Sequence, residues 1–342
     1  MAALGFYTTA TEALRGADLS GKSAIVTGLG AETVRVLAGA GADVVLCSRS
    51  VAAGQEVADG IAAGLAAARG AGEAGGEGEG PRGPAPGRIT VAPLDLADLR
   101  SVQAFCRLPA VASLPAIHFL VLNAGIMGLP AKALTKQGFE AQWGTNHLGH
   151  QYLTQLLLPK MKAQGAPARV VALTSFGHNF AKELPMDDLS WERRTYSAWP
   201  AYGQSKLSNA LFARELARRM EEEGAAVKAF SAHPGRHMAG KGALQRTWRL
   251  VNAVPGLAGL LGSKTVPQGA ATTIFGCVAP ELEGHSGEYL ADCQIGSTAR
   301  GYWGRRFCHP SKLAQDGDLA RRLWEQTDKM IGEALKREAQ QE

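Results

Sequence analysis

Tyr202 and Lys206 stand four residues apart in the run Ala-Tyr-Gly-Gln-Ser-Lys, a spacing that puts both side chains on one face of a helix. Upstream, Ser175 closes an apolar run, and Asn146 lies in Gly-Thr-Asn-His-Leu-Gly-His. A phenol, an amine and a hydroxyl together can polarise a carbonyl and hand its oxygen a proton. A free phenol, with a pKa of ~10, is a poor acid or base near neutrality. A nearby ammonium favours the phenolate, so Lys206 is expected to lower the Tyr202 pKa. Ser175 is expected to hydrogen-bond the substrate oxygen, and Asn146 to bind a water that links Lys206 to solvent as a proton relay. Singly, a strand-end serine or a helical asparagine has local structural uses. Their joint occurrence points to hydride chemistry. His147 and His150, in the same run, are read as structural histidines.

The elements that must position these groups are legible as apolar runs. Ser23–Val26, Asp43–Cys47, Ile89–Leu94, Ile117–Leu122, Arg169–Thr174 and Val227–Ser231 are short and apolar, with helical composition between them. Continuous rather than alternating apolar strands separated by helices predict a parallel sheet covered on both faces. Right-handed crossovers then give an α/β, Rossmann-type doubly wound fold in a single domain, with ligands at the strands' carboxyl ends. Asn123-Ala124-Gly125 closes one such strand and marks where a dinucleotide would lie.

Gly60–Gly87 interrupts the pattern: it is almost entirely Gly, Ala, Glu, Pro and Arg, without an aromatic residue. Such composition buries too little apolar surface to offset its ordering entropy, which predicts a disordered loop inside the domain. Leu250–Gly262 is apolar but broken by Pro255 and several glycines, and is expected to form a lid or pocket wall. A charged helix from about Asp318 to Arg337 ends the chain. The domain is taken as 19–329, with an N-terminal extension, 1–18, and a helical tail, 330–342.

Composition narrows the function classes. The formal net charge of +5 is modest and its Lys and Arg are scattered, which argues against nucleic acid as a partner. Five cysteines at 47, 106, 277, 293 and 308 show no metal-ligand spacing, so no metal is expected and the thiols read as reduced. No apolar run reaches the ~18–20 residues of a membrane span. The N-terminus lacks a basic segment followed by an apolar core, so secretion is not expected. The compartment expected is cytoplasm or an organelle stroma, the chloroplast included.

From about Leu19 to Lys329 the chain resembles the short-chain dehydrogenase/reductases. It is most similar to the branch that holds retinol dehydrogenases, the WW-domain oxidoreductase and a chloroplast translocon-associated dehydrogenase. The likeness rests on Gly138-Phe139-Glu140 through Gly149-His150, Ala201–Lys206, His233-Pro234-Gly235 and Gly269-Ala270-Ala271. The resemblance implies that Asn146, Ser175, Tyr202 and Lys206 are the catalytic four. It also implies that Asp95-Leu96 meets adenine, that Asn123-Ala124-Gly125 supports the adenosine ribose, and that Pro234-Gly235 flanks the nicotinamide. After the second strand stands Cys47-Ser48-Arg49, without an acid for a ribose 2′-hydroxyl. The planar Arg49 fork suits a 2′-phosphate, so NADP(H) is expected rather than NAD(H). Relatives often pair through the helices holding Asn146 and Tyr202, which admits a homodimer.

Two departures stand out. The family's first turn carries three glycines, whereas this chain reads Thr27-Gly28-Leu29-Gly30-Ala31 and lacks about four residues of the pattern. Thr27, Gly28 and Gly30 are still expected to serve the phosphates, through the N–H groups and dipole of the following helix. Arg236-His237-Met238-Ala239 also places basic residues where relatives have small apolar ones, and Ala where they have Thr. The leading expectation is an NADP(H)-dependent oxidoreductase interconverting a carbonyl and an alcohol on a small lipophilic substrate. The alternative is a catalytically weak or inactive protein of this fold, acting as NADPH sensor or scaffold because its loop is truncated. A third reading of the short loop is an error in the assembled gene at an exon junction.

Overall fold

The computed structural model describes residues 4–73, 83–235, 263–296 and 308–341. In chain order the elements are α1 (Ala10–Leu14), β1 (Ser23–Thr27), α2 (Ala31–Gly39), β2 (Asp43–Ser48), α3 (Val51–Glu73) and β3 (Ile89–Pro93). There follow α4 (Leu99–Arg107), α5 (Pro109–Ala112), β4 (Phe119–Leu122), α6 (Ala141–Trp143), α7 (Gly149–Ala163) and β5 (Ala168–Leu173). The last are α8 (Ala198–Glu222), β6 (Val227–His233), α9 (Val266–Val278), β7 (Tyr289–Ala291), β8 (Gln294–Ile295) and α10 (Gly317–Ala339).

The strands form one sheet in the order β3-β2-β1-β4-β5-β6-β7-β8, parallel except for the terminal β7–β8 pair. Chain order reverses between β1 and β4, which makes their carboxyl ends the crevice of a doubly wound sheet. Every residue of β1 and β4 is buried, as the unbroken apolar runs require when helices cover both faces. Ile25, Val45, Leu120 and Val170 look toward α4, α7, α8 and α10. Val26, Leu46, Val121 and Val171 look toward α1, α2 and α9. Neighbours along a strand thus feed opposite layers. Each fully buried aliphatic side chain contributes about 1.5–3 kcal/mol.

Local signals set the helix ends. Asp98 caps α4 by accepting from the Arg100 N–H at 3.0 Å. Thr265 and Gln268 form a reciprocal capping box on α9, and Asp316 accepts from the Leu319 N–H to start α10; side-chain acceptors of this kind satisfy N–H groups that have no partner in the first turn. Pro200 is tolerated in α8 because it lies in the first turn.

The expectation of a disordered loop over Gly60–Gly87 is corrected in part: residues 60–73 continue helix α3. Alanine dominates this stretch and is the strongest helix former. Ala58 and Ile61 are buried, and Leu65 packs on Gly39. Residues 74–82 lie outside the described residues. So do the predicted lid, Leu250–Gly262, and the basic run Arg236–Ala239.

Helix α10 docks rather than lying free. Trp324 stacks on Phe212 of α8 with ring centroids 5.5 Å apart and takes the Arg219 guanidinium over its face at 4.8 Å. Gln151 of α7 donates to the Trp324 carbonyl and to Asp328. α10 therefore covers part of the outward faces of α7, which continues the turn holding Asn146, and of α8, which holds Tyr202 and Lys206.

Candidate active site

Tyr202 and Lys206 both lie in α8 and are buried. The Lys206 Nζ is 5.8 Å from the centre of the Tyr202 ring and donates to the Leu173 carbonyl at 2.9 Å. Ser175 follows β5 and caps a 3-10 turn, Phe176–Phe180, its Oγ accepting from the Gly177 N–H. That turn can lie on α8 because two glycines leave room. A Cβ at Gly177 would stand 2.7 Å from the Tyr202 ring, and one at Gly203 would stand 2.7 Å from the Gly177 carbonyl.

The electrostatics depart from the sequence expectation. Burial raises the Tyr202 phenol above its ordinary pKa, and the Ser175 hydrogen bond pulls it part of the way back. Lys206 makes no hydrogen bond to the phenol: its Nζ donates to the Leu173 carbonyl, and burial lowers its own pKa to about 8. In the folded chain the phenol is held protonated through the neutral range, and the amine is the group that titrates near it.

Asn146 lies in a π-turn, Gly144–Leu148, closed by a bond from the Gly149 N–H to the Gly144 carbonyl; such bulges concentrate at functional positions. Its Oδ1 accepts from the Ile126 N–H, and its Nδ2 donates to the Ile126 carbonyl and to Ser205 Oγ. These bonds tie the π-turn to the loop after β4 and to α8 and use both Nδ2 hydrogens, while Oδ1 accepts one bond of the two it can take. What brings these groups together is Gly125, where a Cβ would stand 3.2 Å from Asn146 Oδ1 and 3.4 Å from Lys206 Nζ.

Gly125 also lines a cleft of about 480 Å³ at the carboxyl ends of β1 to β4, with Gly28, Leu29, Ser48, Arg49, Asp95, Leu96, Asn123, Ala124 and Thr145. Gly28 (φ +71°) and Gly30 (φ +32°) turn the chain from β1 into α2. A Cβ on Gly28 would press on Ala124 at 3.1 Å, and one on Gly30 on Val26 at 2.9 Å. Gly30 caps α2 without a side-chain acceptor, which leaves the first N–H groups of that helix available to an anion. The residues present therefore fit the adenosine half and pyrophosphate of a dinucleotide, with the space over Gly125 leading to Lys206.

Other expected cofactor residues are placed differently. Thr27 is fully buried and does not line the cleft; it accepts from the Ala124 N–H and, through its carbonyl, from Asn123 Nδ2. Pro234 and Gly235 follow β6 and also lie outside the cleft lining. Gly235 (φ +87°) packs on the methylenes of Lys264, which is paired with Asp292 at 2.6 Å. His178 and His233 carry no expected role. His178 lies 2.6 Å from the Ser175 carbonyl through Nδ1 and accepts from the Ser311 N–H at Nε2. His233 Nδ1 accepts from the Phe176 and Gly235 N–H groups. Beside Tyr202, Trp199 (52% exposed) and Phe180 (41%) meet edge to face and offer an open aromatic surface. Among the described residues no cluster of metal-ligating side chains occurs.

Comparison with known proteins agrees with this geometry. The short chain dehydrogenase family profile matches residues 82–184. The WW domain-containing oxidoreductase of Danio rerio is 37% identical over 95% of this chain and 72% of its own length. The short-chain dehydrogenase TIC 32 A, chloroplastic, of Brassica napus is 33% identical, covering 96% and 94%, and retinol dehydrogenase 12 of Mus musculus is 34% identical, covering 92% and 88%. A crystal structure of an uncharacterised Mycobacterium paratuberculosis protein superposes with a TM-score of 0.65 at 29% identity, over 92% of this chain and 94% of that one.

Proposed function

The chain belongs to the short-chain dehydrogenase/reductase family, and from that premise we propose that it is an NADP(H)-dependent oxidoreductase interconverting a carbonyl and an alcohol on a small lipophilic substrate. The observation that carries the reading is the Tyr202 phenol, hydrogen-bonded by Ser175, on the same helix as a lysine that borders the dinucleotide cleft at Gly125.

A bound reduced nicotinamide supplies the hydride. The protein's own residues do the rest. The Ser175 and Tyr202 hydroxyls hold the substrate oxygen, and Tyr202 releases its proton to that oxygen as negative charge develops there. Burial keeps the phenol protonated beforehand, which suits the reductive direction. Lys206 holds the ribose and, as an ammonium, stabilises the phenolate left behind. The short lever from Gly125 keeps Asn146 and Lys206 in fixed relation.

Arg49 stands on the cleft wall after β2, where a 2′-phosphate would lie, and supports NADP(H) over NAD(H). Trp199 and Phe180 support an apolar substrate. Since α10 lies across α7 and α8, a homodimer through those helices would need α10 displaced, and one with α10 in place would use another surface. Five free cysteines suit a reducing compartment, cytoplasm or organelle stroma; among the described residues no helix is long and apolar enough to cross a membrane.

A second reading, an NADPH sensor or scaffold without turnover, is favoured by the loop itself: only Gly28, Leu29 and Gly30 separate β1 from α2. Calorimetry with NADPH, on this chain and on one with four residues inserted after Gly28, separates the two when combined with an aldehyde and ketone panel. Binding with NADPH oxidation by this chain supports the enzyme. Tight binding without turnover on any carbonyl supports the sensor. Binding only after insertion assigns the defect to the loop.

A further inference from the structure

His150 belongs to neither the cleft lining nor the catalytic four, yet it is buried between them in the first turn of α7. Its Nδ1 lies 2.9 Å from the Asn146 carbonyl and its Nε2 lies 2.8 Å from Thr27 Oγ1. Thr27, 123 positions away in sequence, ends β1 immediately before the glycine loop.

The polarity of this chain of bonds can be derived. Burial lowers the His150 pKa to about 4, so the ring is neutral and carries one N–H. A carbonyl can only accept, so the proton is on Nδ1 and is donated to Asn146. Nε2 must then accept, and among the described residues the hydrogen aimed at it is that of the Thr27 hydroxyl. The competing acceptor for that hydrogen, the Val121 carbonyl, is farther away at 3.4 Å. The Thr27 oxygen in turn accepts from the Ala124 N–H at 3.0 Å. One directed series therefore runs from the Ala124 N–H through the Thr27 hydroxyl and the imidazole to the Asn146 carbonyl. It joins the strand end that opens the phosphate loop to the π-turn whose side chain abuts Gly125 opposite Lys206.

We propose that His150 is a positioning residue for this site, coupling the Thr27–Gly30 loop to the Asn146 π-turn so that the cofactor seat and the Lys206 side of the site are set as one unit. The inference rests on the reading of the cleft as a dinucleotide site. A histidine serves here because its two ring nitrogens can donate and accept across the gap at once, which no aliphatic or phenyl side chain can do.

A double-mutant cycle in NADPH affinity, measured by calorimetry, tests the coupling. His150→Phe keeps an aromatic ring without nitrogens, and Thr27→Val keeps the shape without the hydroxyl. Each is expected to weaken NADPH binding about tenfold, and the pair together by about the same factor, because either change breaks the same series. Thr27→Ser, which keeps the hydroxyl, is expected to stay within about twofold of the parent. A double variant weakened by the product of the single effects, or a His150→Phe protein with unchanged affinity, overturns the proposal. A merely structural histidine would lower thermal stability without this non-additivity. If His150→Phe does not fold, ¹⁵N NMR of the parent decides: a proton on Nδ1 is required, and an Nε2–H tautomer overturns the proposal whatever the cofactor result. Parent protein that binds no NADPH overturns the functional reading instead.

Discussion

Lys206 Nζ sits 5.8 Å from the centre of the Tyr202 ring but spends a hydrogen on the Leu173 carbonyl, 2.9 Å away. The two groups are neighbours without being a hydrogen-bonded pair, so each has a separable task. In the proposed reaction Tyr202 donates the proton to the substrate, and Lys206 supplies a charge beside the phenol and Gly125 of the cleft.

Replacing Tyr202 by Phe removes the donor and leaves the packing against Gly177 and Trp199 intact. Carbonyl reduction by the Tyr202→Phe protein is expected to fall by about 10²–10⁴-fold, with NADPH affinity within about twofold of the parent and an unchanged circular dichroism spectrum. Turnover that survives the substitution would remove Tyr202 from the mechanism.

Lys206 is expected to give NADPH affinity a pH dependence. Its pKa in the folded chain is about 8, below the ordinary value of 10.5, because burial penalises the ammonium. A bound polyanion favours the charged form, so affinity should hold below pH 8 and weaken as pH rises through it. The stability sign is opposite: a depressed pKa means the charged lysine costs stability below pH 8, and the cost fades toward pH 10.5. Lys206→Met is therefore expected to abolish the pH limb, to weaken NADPH binding, and to stabilise the protein at pH 7 by roughly 1–2 kcal/mol. The Leu173 carbonyl keeps its bond from Asn209 Nδ2 in that variant. Urea melts at pH 7 that show Lys206→Met less stable than the parent would contradict this account.

Much of the frame that holds these groups was readable in advance, for a physical reason. β1 and β4 are buried throughout and read as short continuous apolar runs, while β5 and β6 stay mostly apolar around Arg169, Lys228 and Ser231. The β7–β8 hairpin left no such trace. Its strands are three and two residues long, and it turns at Asp292 and Cys293, with φ of +51° and +55°, where a reading by turn residues looks for glycine. The Gly- and Ala-rich run after Gly60 reads as a loop by composition, yet two anchors within it, Ile61 and Leu65, let the helix continue. In the site, residue type and spacing single out Asn146, Ser175, Tyr202 and Lys206 as candidates, and the fold gathers them around Gly125 and Gly177. The roles of His150, His178 and His233 depend on partners that lie far off in sequence or on the backbone, and neither leaves a motif.

The proposed NADP(H) preference is assigned to Arg49, which lines the cleft. Arg49→Ala is expected to weaken NADPH binding by about 10–100-fold, the range for a charge-assisted phosphate contact, while NADH binding changes by less than about twofold. Competition binding of the two nucleotides to parent and variant provides the comparison. Equal losses for both would show that Arg49 does not meet the 2′-phosphate.

Five buried histidines should make the fold sensitive to acid: burial lowers the pKa of His118 and His178 and of three others. Burial lowers His147 to about 3, His150 to about 4 and His233 to about 3, the last also through the charge of Lys264. In the unfolded chain each returns to about 6.5. Between those values the unfolded state binds protons that the native state refuses, so stability must fall as pH drops from 6.5 toward 4 and stay flat, for these groups, above 6.5. Each contributes a slope of up to about 1.4 kcal/mol per pH unit. Asp188 acts in a lower window: its burial is outweighed by hydrogen bonds from Arg193, Arg194 and Glu192, which bring its pKa to about 2. Urea unfolding free energies measured from pH 8 to pH 4.5 are therefore expected to hold level and then drop steeply below about pH 6.5. His150→Phe should reduce that slope by less than one third, since His118 and His178 contribute as well. A profile that stays level to pH 5 would mean that these imidazoles are not buried in neutral form.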